Sequence, residues 1–216
     1  MENTILNKKM VDGQIKPING MSDELISIFY SMDRSEFLPE SLKSSAYIEK
    51  NIIIENNRVI PKPEIVAKIV LNIDIKDNEN VLILGSTTSY LSAVLAHQAE
   101  TVIVVEENEK LISFSEKNIK KKNLNNVVYF NGEIAKGCAN QSPFNAIIIE
   151  GAVNSVPNNI LNQLDEHGRL LAIISEDSIC TAQMYRKNGN KFNEDRLFNC
   201  SLPILNSFKD KNHFSF

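Results

Sequence analysis

Hydrophobic positions divide the chain into a helical first part and a second part in which strands and helices alternate. In residues 22–32, apolar side chains recur every three or four positions, which is typical of an amphipathic helix. A second such stripe spans residues 61–73 and follows two prolines, which favour helix N-termini. Residues 34–47, between these segments, predict irregular structure with short helical turns.

From residue 80 onward, short apolar runs alternate with segments of helical periodicity. The runs predicted as strands span residues 80–84, 101–105, 126–130, 144–149 and 169–175, and the segments predicted as helices span residues 89–98, 108–122 and 157–166. Fully apolar strands are expected where both faces of a parallel sheet are covered. In the tail, two strand-like arms flank the polar turn "KNGNK". The pattern therefore predicts an α/β fold with a mainly parallel sheet, helices on both faces and an antiparallel C-terminal closure.

Length and composition bound the class of protein. The chain has 216 residues, 43% of them hydrophobic and 23% charged, as in ordinary globular proteins. We expect one domain, with residues 1–75 as an N-terminal helical segment and residues 76–216 as the α/β core. The chain has no run of about 18 apolar residues, so no membrane span is predicted. The polar N-terminus lacks the apolar centre of a signal peptide, so we expect a cytoplasmic location.

Charge, cysteine and histidine content argue against a nucleic-acid surface, a disulfide framework and a metal site. The formal net charge of -4 disfavours a broad nucleic-acid surface. Three widely spaced cysteines without a C-x-x-C pair predict neither a disulfide framework nor a zinc site. The three histidines are also far apart, so no metal site is expected.

Candidate chemistry lies at the carboxyl ends of the predicted strands, where open parallel sheets bind their ligands. The loop 85–89 follows the first strand. Glu106 ends the second strand about 20 residues after Gly85, a spacing at which dinucleotide folds place an acid on a ribose. Glu133 follows the third strand and Glu150 ends the fourth. Each acid alone is equally typical of a solvated strand end.

Several motifs match one known family, in order and in register. They are "MVDGQI" (10–15), "RSEFLPE" (34–40) followed by Ala46 and Tyr47, "YLSAVLA" (90–96), Gly132 with Glu133 and Ile134, and the long block 143–170. That block begins "PFNAIIIEGA", against a family pattern P-F-D-x-I-I-V-T-x-A. On these motifs, nearly the whole chain resembles the protein-L-isoaspartate O-methyltransferases.

The resemblance implies a Rossmann-like class I methyltransferase fold with S-adenosylmethionine as cofactor. It implies carboxyl methylation of isoaspartyl residues, so isoaspartyl-containing proteins or peptides would be the partners. Glu106 would contact the cofactor's ribose and Glu133 would lie near its adenine. The positions expected to bind the cofactor are Gly85, Ser86, Thr87, Ser89, Glu106, Gly132, Glu133 and Glu150.

The cofactor loop departs from the family pattern E-I-G-T-G-S-G-Y. The chain has "ILGSTTSY" at 83–90, so Ile83 replaces an acid, and Thr87 and Ser89 replace glycines. A β-branched residue in left-handed geometry costs about 1–2 kcal/mol, so we expect strain at Thr87. Loss of the carboxylate removes a charged hydrogen bond of about 1.5–3 kcal/mol. Both changes predict weaker cofactor binding.

The substrate loop departs as well. The family pattern T-I-S-x-P corresponds to Val59, Ile60, Pro61, Lys62 and Pro63, so both hydroxyls are replaced and no catalytic residue is assigned. Two hypotheses remain open: a methyltransferase of this family with reduced activity, and a non-catalytic binding protein that keeps the methyltransferase fold. A nucleic-acid methyltransferase is disfavoured by the acidic charge and by the lack of an N/D-P-P-Y/F motif. Oligomeric state is left open.

Overall fold

A seven-stranded sheet forms the centre of the protein in a computed structural model that describes residues 2–54, 58–177 and 179–208. The strand order in this sheet is β5-β4-β3-β6-β7-β8-β9. Its strands are β3 (Asn80–Leu84), β4 (Thr101–Glu106), β5 (Val127–Asn131), β6 (Phe144–Val153), β7 (Leu164–Glu176), β8 (Ile179–Asn188) and β9 (Lys191–Cys200). A separate antiparallel pair is formed by β1 (Ile52–Ile53) and β2 (Val59–Ile60).

Helices precede and connect the strands. They are α1 (Glu2–Met10), α2 (Asp23–Ser31), α3 (Pro63–Ile73), α4 (Tyr90–Leu95), α5 (Glu109–Lys121) and α6 (Asn158–Leu161). Ser22 caps α2 by accepting the Leu25 amide at 3.2 Å, and Pro63 occupies the first turn of α3. The segment 34–45 forms two short 3₁₀ turns, as predicted. None of the helices in the described ranges is long and apolar enough to cross a bilayer.

The sheet topology confirms the predicted fold class. β3 to β7 pair in parallel, whereas β8 and β9 pair antiparallel around the turn at Gly189. β3 lies between β4 and β6, and the strand order reverses beside it. The chain therefore leaves the carboxyl end of β3 at this reversal point. Loops diverge at such a point and open a crevice for a ligand.

Several predicted boundaries are wrong in the second half of the chain, and two of them bear on the site. The helix predicted for residues 157–166 ends at Leu161, because Leu164 already pairs with Phe144 in the sheet. The strand predicted for residues 144–149 continues to Val153 through a shift in its pairing with β7. Glu150 therefore lies inside β6 rather than at its end.

Hydrophobic side chains cover both faces of the sheet, as alternation along the strands requires. Val81 and Ile83 of β3 belong to the larger cluster, which also contains residues of α2, α3 and α4. Leu82 and Leu84 belong to a second cluster on the other face, with residues of α6. Ile83, which replaces the family's acid, is fully buried in the first cluster.

Candidate functional site

The loop between β3 and α4 turns sharply at two residues with positive φ. These are Gly85 (φ 81°) and Ser89 (φ 62°). Thr87 is not among the positive-φ residues of the described chain, so the strain expected there is wrong and falls on Ser89 instead. The loop accommodates its β-branched residue because Thr87 keeps an ordinary backbone conformation.

Hydroxyl groups hold this loop in place. Thr87 Oγ1 donates to the carbonyl of Val59 in β2 at 3.0 Å, which joins the cofactor loop to the substrate loop. Tyr129 Oη donates to Ser89 Oγ at 2.5 Å, and Ser86 Oγ lies 3.3 Å from Ser92 Oγ. Ser86, Thr87 and Ser89 are all buried. Glycine-rich backbone is therefore replaced here by a packed, hydrogen-bonded set of small polar side chains.

Glu106 ends β4 with its carboxylate turned into the protein, at 1% exposure. Its Oε1 accepts the amides of Glu107 at 3.1 Å and Asn108 at 3.0 Å. Asn108 in turn caps α5 through its own side chain. The predicted strand-end acid is therefore fixed by the start of the next helix and is not a solvated side chain.

Arg58 is the main partner of Glu106. Its Nη2 lies 2.6 Å from Glu106 Oε2 and its Nη1 lies 3.3 Å from Oε1. Nη2 also donates to the carbonyl of Gly85. Burial raises the pKa of Glu106, and the guanidinium opposes that rise. Sequence reasoning missed Arg58, because a lone arginine before a two-residue strand carries no signal that links it to an acid in β4.

Gly132 and Glu133 directly follow β5, the strand next to β4 in the sheet. The Gly132 amide donates to the carbonyl of Glu106 at 3.1 Å. The Glu133 side chain is 64% exposed and lies 2.6 Å from Lys136 Nζ. The predicted ribose acid and adenine acid therefore share one edge of the sheet, but Glu106 is enclosed and Glu133 lies at the surface.

Glu150 is the third predicted acid, and it is almost completely buried, at 3% exposure. Burial raises the pKa of this carboxyl to about 7, against the lowering effects of the Ser86 hydroxyl and of Arg58 and Arg34. Its Oε2 has no hydrogen-bond partner among the described residues. An ionisable oxygen buried without a partner is costly and marks a candidate ligand contact.

The substrate-loop residues Val59, Ile60 and Pro61 are buried next to the cofactor loop. The carbonyl of Pro61 accepts Arg34 Nη2 at 2.6 Å. Arg34 is fully buried, and its guanidinium carbon lies 5.2 Å from the centre of the Tyr90 ring. The backbone of this loop is therefore held rigidly, although its side chains offer no hydroxyl.

Leu205 covers the crevice from the C-terminal side. Its amide donates to the carbonyl of Ala152 at 2.9 Å. A Cβ added at Gly151 would lie 2.5 Å from Leu205 Cγ, and one at Gly85 would lie 3.2 Å from its Cδ1. A cleft of about 500 Å³ remains open on the outer side of Arg58 and Glu106. The inner part of the crevice is thus filled by the chain's own side chains.

Comparison with known proteins gives one consistent result. Residues 5–204 match the family model described as Protein-L-isoaspartate(D-aspartate) O-methyltransferase (PCMT). A protein-L-isoaspartate O-methyltransferase from Aliivibrio fischeri is 32% identical over 81% of this chain and 85% of its own length. One from Yersinia enterocolitica is also 32% identical, over 80% of this chain and 83% of its own.

Solved structures agree on the fold. A protein-L-isoaspartate O-methyltransferase structure superposes with a TM-score of 0.81 at 21% identity, covering 92% of this chain and 65% of that one. A Plasmodium falciparum structure assigned to the same activity, in complex with S-adenosyl-L-homocysteine, has a TM-score of 0.77 at 22% identity and covers 93% and 98%. Sequence and fold lead to the same conclusion: the chain belongs to the protein-L-isoaspartate O-methyltransferase family.

Proposed function

We propose that this protein is an S-adenosylmethionine-dependent carboxyl methyltransferase that acts on isoaspartyl residues of proteins or peptides, with lower turnover than is usual for its family. The observation that carries the proposal is the position of Glu106. Its carboxylate is fixed by the Asn108 amide at the carboxyl end of β4, next to the point where the strand order reverses. It lies about 20 residues beyond Gly85 in the sequence. This is the place at which folds of this kind hold a ribose through its hydroxyls.

The residues of the crevice fit the cofactor if the side chains that fill it move, Arg58 above all. Glu106 would accept the ribose hydroxyls, the loop 85–89 would face the amino-acid part, and Gly132 and Glu133 would border the adenine. Arg58 now binds Glu106 and the Gly85 carbonyl, so its guanidinium has to leave these acceptors. The orphaned Oε2 of Glu150 is an acceptor that a ligand can use.

When bound, S-adenosylmethionine supplies an electrophilic methyl group that a carboxylate oxygen accepts in a single displacement. The protein has to hold the acceptor in line and exclude water. Residues 1–75 would form the acceptor side and residues 76–216 the cofactor side. Val59 and Pro61 offer no hydroxyl to the acceptor, which supports reduced turnover. A cytoplasmic location is part of the same proposal.

Calorimetric titration with S-adenosylhomocysteine tests the cofactor site. Glu106→Gln should weaken binding by about 1–3 kcal/mol, because the charged acceptor is lost. Glu100→Gln, an exposed carboxylate just before the start of β4, is the matched control and should bind like the unmodified protein. Equal affinity in both variants would contradict the role of Glu106.

Transfer of a labelled methyl group separates the enzyme from a binding protein. An isoaspartyl peptide should be methylated slowly, and the same peptide with ordinary aspartate should not be methylated. An active family member run in parallel sets the scale. If S-adenosylhomocysteine binds but neither peptide is methylated, the protein is a non-catalytic member that keeps the cofactor site.

A further inference from the structure

Glu150 occupies a sheet position at which the family pattern P-F-D-x-I-I-V-T-x-A has a threonine. Along β6 it falls on the same face as Ile148 and Ala152, both of which belong to the larger core cluster. In β3, Ile83 pairs with Ile148 and lies on that face too. The chain therefore lacks the family's acid at position 83 and carries a new acid on the neighbouring strand, two residues nearer the carboxyl edge.

The surroundings of Glu150 leave its charge incompletely matched. Ser86 forms a hydrogen bond with the carboxyl, while Arg34, Arg58, Glu106 and Tyr129 are the charged or titratable groups that interact with it. Neither guanidinium donates to Glu150, although Arg34 Nη1 and Arg58 Nε are buried without a hydrogen-bond partner among the described residues. Arg34 donates to the carbonyls of Ala46 and Pro61, and Arg58 donates to Glu106 and Gly85.

A buried carboxylate with one free oxygen is suited to a cation without strong hydrogen-bond donors of its own. Burial of a positive charge is unfavourable unless a counter-charge lies close by. A sulfonium centre is such a cation, and its thioether product is neutral. The apolar residues on the same sheet face, Ile83, Ile148 and Ala152, would keep the pair away from water.

We propose that Glu150 recognises the positive charge of the methyl donor and makes the site prefer the sulfonium form over its neutral thioether product. This inference rests on the proposed function. The carboxylate of Glu150 in β6 would then supply the negative charge that the family's acid supplies at position 83 of β3. Product would then leave more readily than donor, because only the donor carries the charge that Glu150 binds.

The preference should depend on pH. Burial raises the pKa of Glu150 to about 7, so without ligand the carboxyl is largely protonated below neutrality. A bound cation requires the ionised carboxyl of Glu150, so its binding displaces the proton from that carboxyl. Affinity for S-adenosylmethionine should therefore rise about tenfold between pH 6 and pH 8, relative to S-adenosylhomocysteine. Arg58 and Glu106 would lie near both ligands, so their effects largely cancel in the ratio.

Calorimetry with both ligands at pH 6 and pH 8, in buffers of different ionisation enthalpy, provides the test. The unmodified protein should release a proton on binding S-adenosylmethionine and none on binding S-adenosylhomocysteine. Glu150→Gln should abolish the proton release and the pH dependence of the affinity ratio. Glu106→Gln should weaken the binding of both ligands and leave the pH dependence of their affinity ratio unchanged.

Thermal unfolding checks that each variant is folded, and Glu150→Thr, the residue of the family pattern, replaces Glu150→Gln if that variant is not. A pH-dependent ratio that persists in the folded Glu150 variant would overturn this inference and leave the proposed function intact. If neither ligand binds the unmodified protein, both are overturned. Loss of the pH dependence at Glu150 alone supports the assignment.

Discussion

At the scale of single residues, the cofactor loop is built around Ser89, which has a left-handed backbone conformation. Ser89 has a φ of 62° and is completely buried, and its hydroxyl accepts the hydrogen bond from Tyr129. A left-handed conformation is unfavourable for any residue with a Cβ. Two opposing contributions therefore meet at one position: backbone strain and a buried hydrogen bond.

Comparison of Ser89→Gly with Ser89→Ala separates these contributions. Both changes remove the hydroxyl that Tyr129 uses, but only glycine relieves the left-handed strain. Ser89→Gly should therefore be more stable than Ser89→Ala by about 1 kcal/mol. Urea unfolding followed by circular dichroism measures the difference. Equal stability of the two variants would mean that the backbone at residue 89 is not strained.

At the scale of elements, the hydrogen bond from Thr87 to Val59 joins the loop after β3 to β2. The substrate loop is additionally held by Arg34, which binds the Pro61 carbonyl. Because β1 and β2 are only two residues each, their pairing alone is marginal. The position of this hairpin therefore depends on side chains from other elements.

Thr87→Val tests this dependence, since valine keeps the shape and removes the hydroxyl. We expect a loss of about 1–3 kcal/mol in the free energy of unfolding, because the buried Val59 carbonyl loses its donor. The backbone amides of 58–60 should also exchange faster with solvent. Thr88→Val is the control, since Thr88 is equally buried but has no hydrogen bond to the described residues of β2. Similar losses in both variants would count against the connection.

Elements with a clear hydrophobic period could be predicted from the sequence, and those formed by distant contacts could not. β3 and β4 are found within one residue of their predicted ends, because residues 81–84 and 102–105 are wholly apolar. The extension of β7 back to Leu164 was missed, since "LDEHGR" has no strand pattern and pairs only because Phe144 lies opposite. At the site, strand ends located Glu106, but nothing local located Arg58, whose partner lies in another strand.

At the scale of the whole molecule, Arg169 connects the N-terminal segment with the sheet. From β7, its Nε donates to the carbonyl of Ile73 at 2.5 Å and its Nη2 to that of Asp74 at 2.6 Å. The same guanidinium contacts both oxygens of Glu79 at 2.7 Å. One planar guanidinium thus donates hydrogen bonds both to the carbonyls at the end of α3 and to the carboxylate that precedes β3.

Arg169→Lys should lower the free energy of unfolding by about 1–3 kcal/mol, because a lysine cannot reproduce the fork-shaped set of donors. Arg186→Lys is the matched control. Its ion pair with Asp195 is exposed, at 48% and 62%, and should contribute less than about 1 kcal/mol. Chemical denaturation of both variants gives the comparison. A loss at position 169 no larger than that at position 186 would show that the connection is not needed.

The contact between Thr87 and Val59 also constrains the order in which this chain can change. The family pattern has glycine at position 87 and threonine at position 59, so the chain differs from it on both sides of one hydrogen bond. Reversion of Thr87 to glycine removes the donor and leaves the acceptor, the backbone carbonyl of residue 59, without it. Because the acceptor is a backbone carbonyl, no side chain at residue 59 compensates for the lost donor. A path back to the family's glycine therefore passes through a less stable intermediate unless another donor for that carbonyl is gained first.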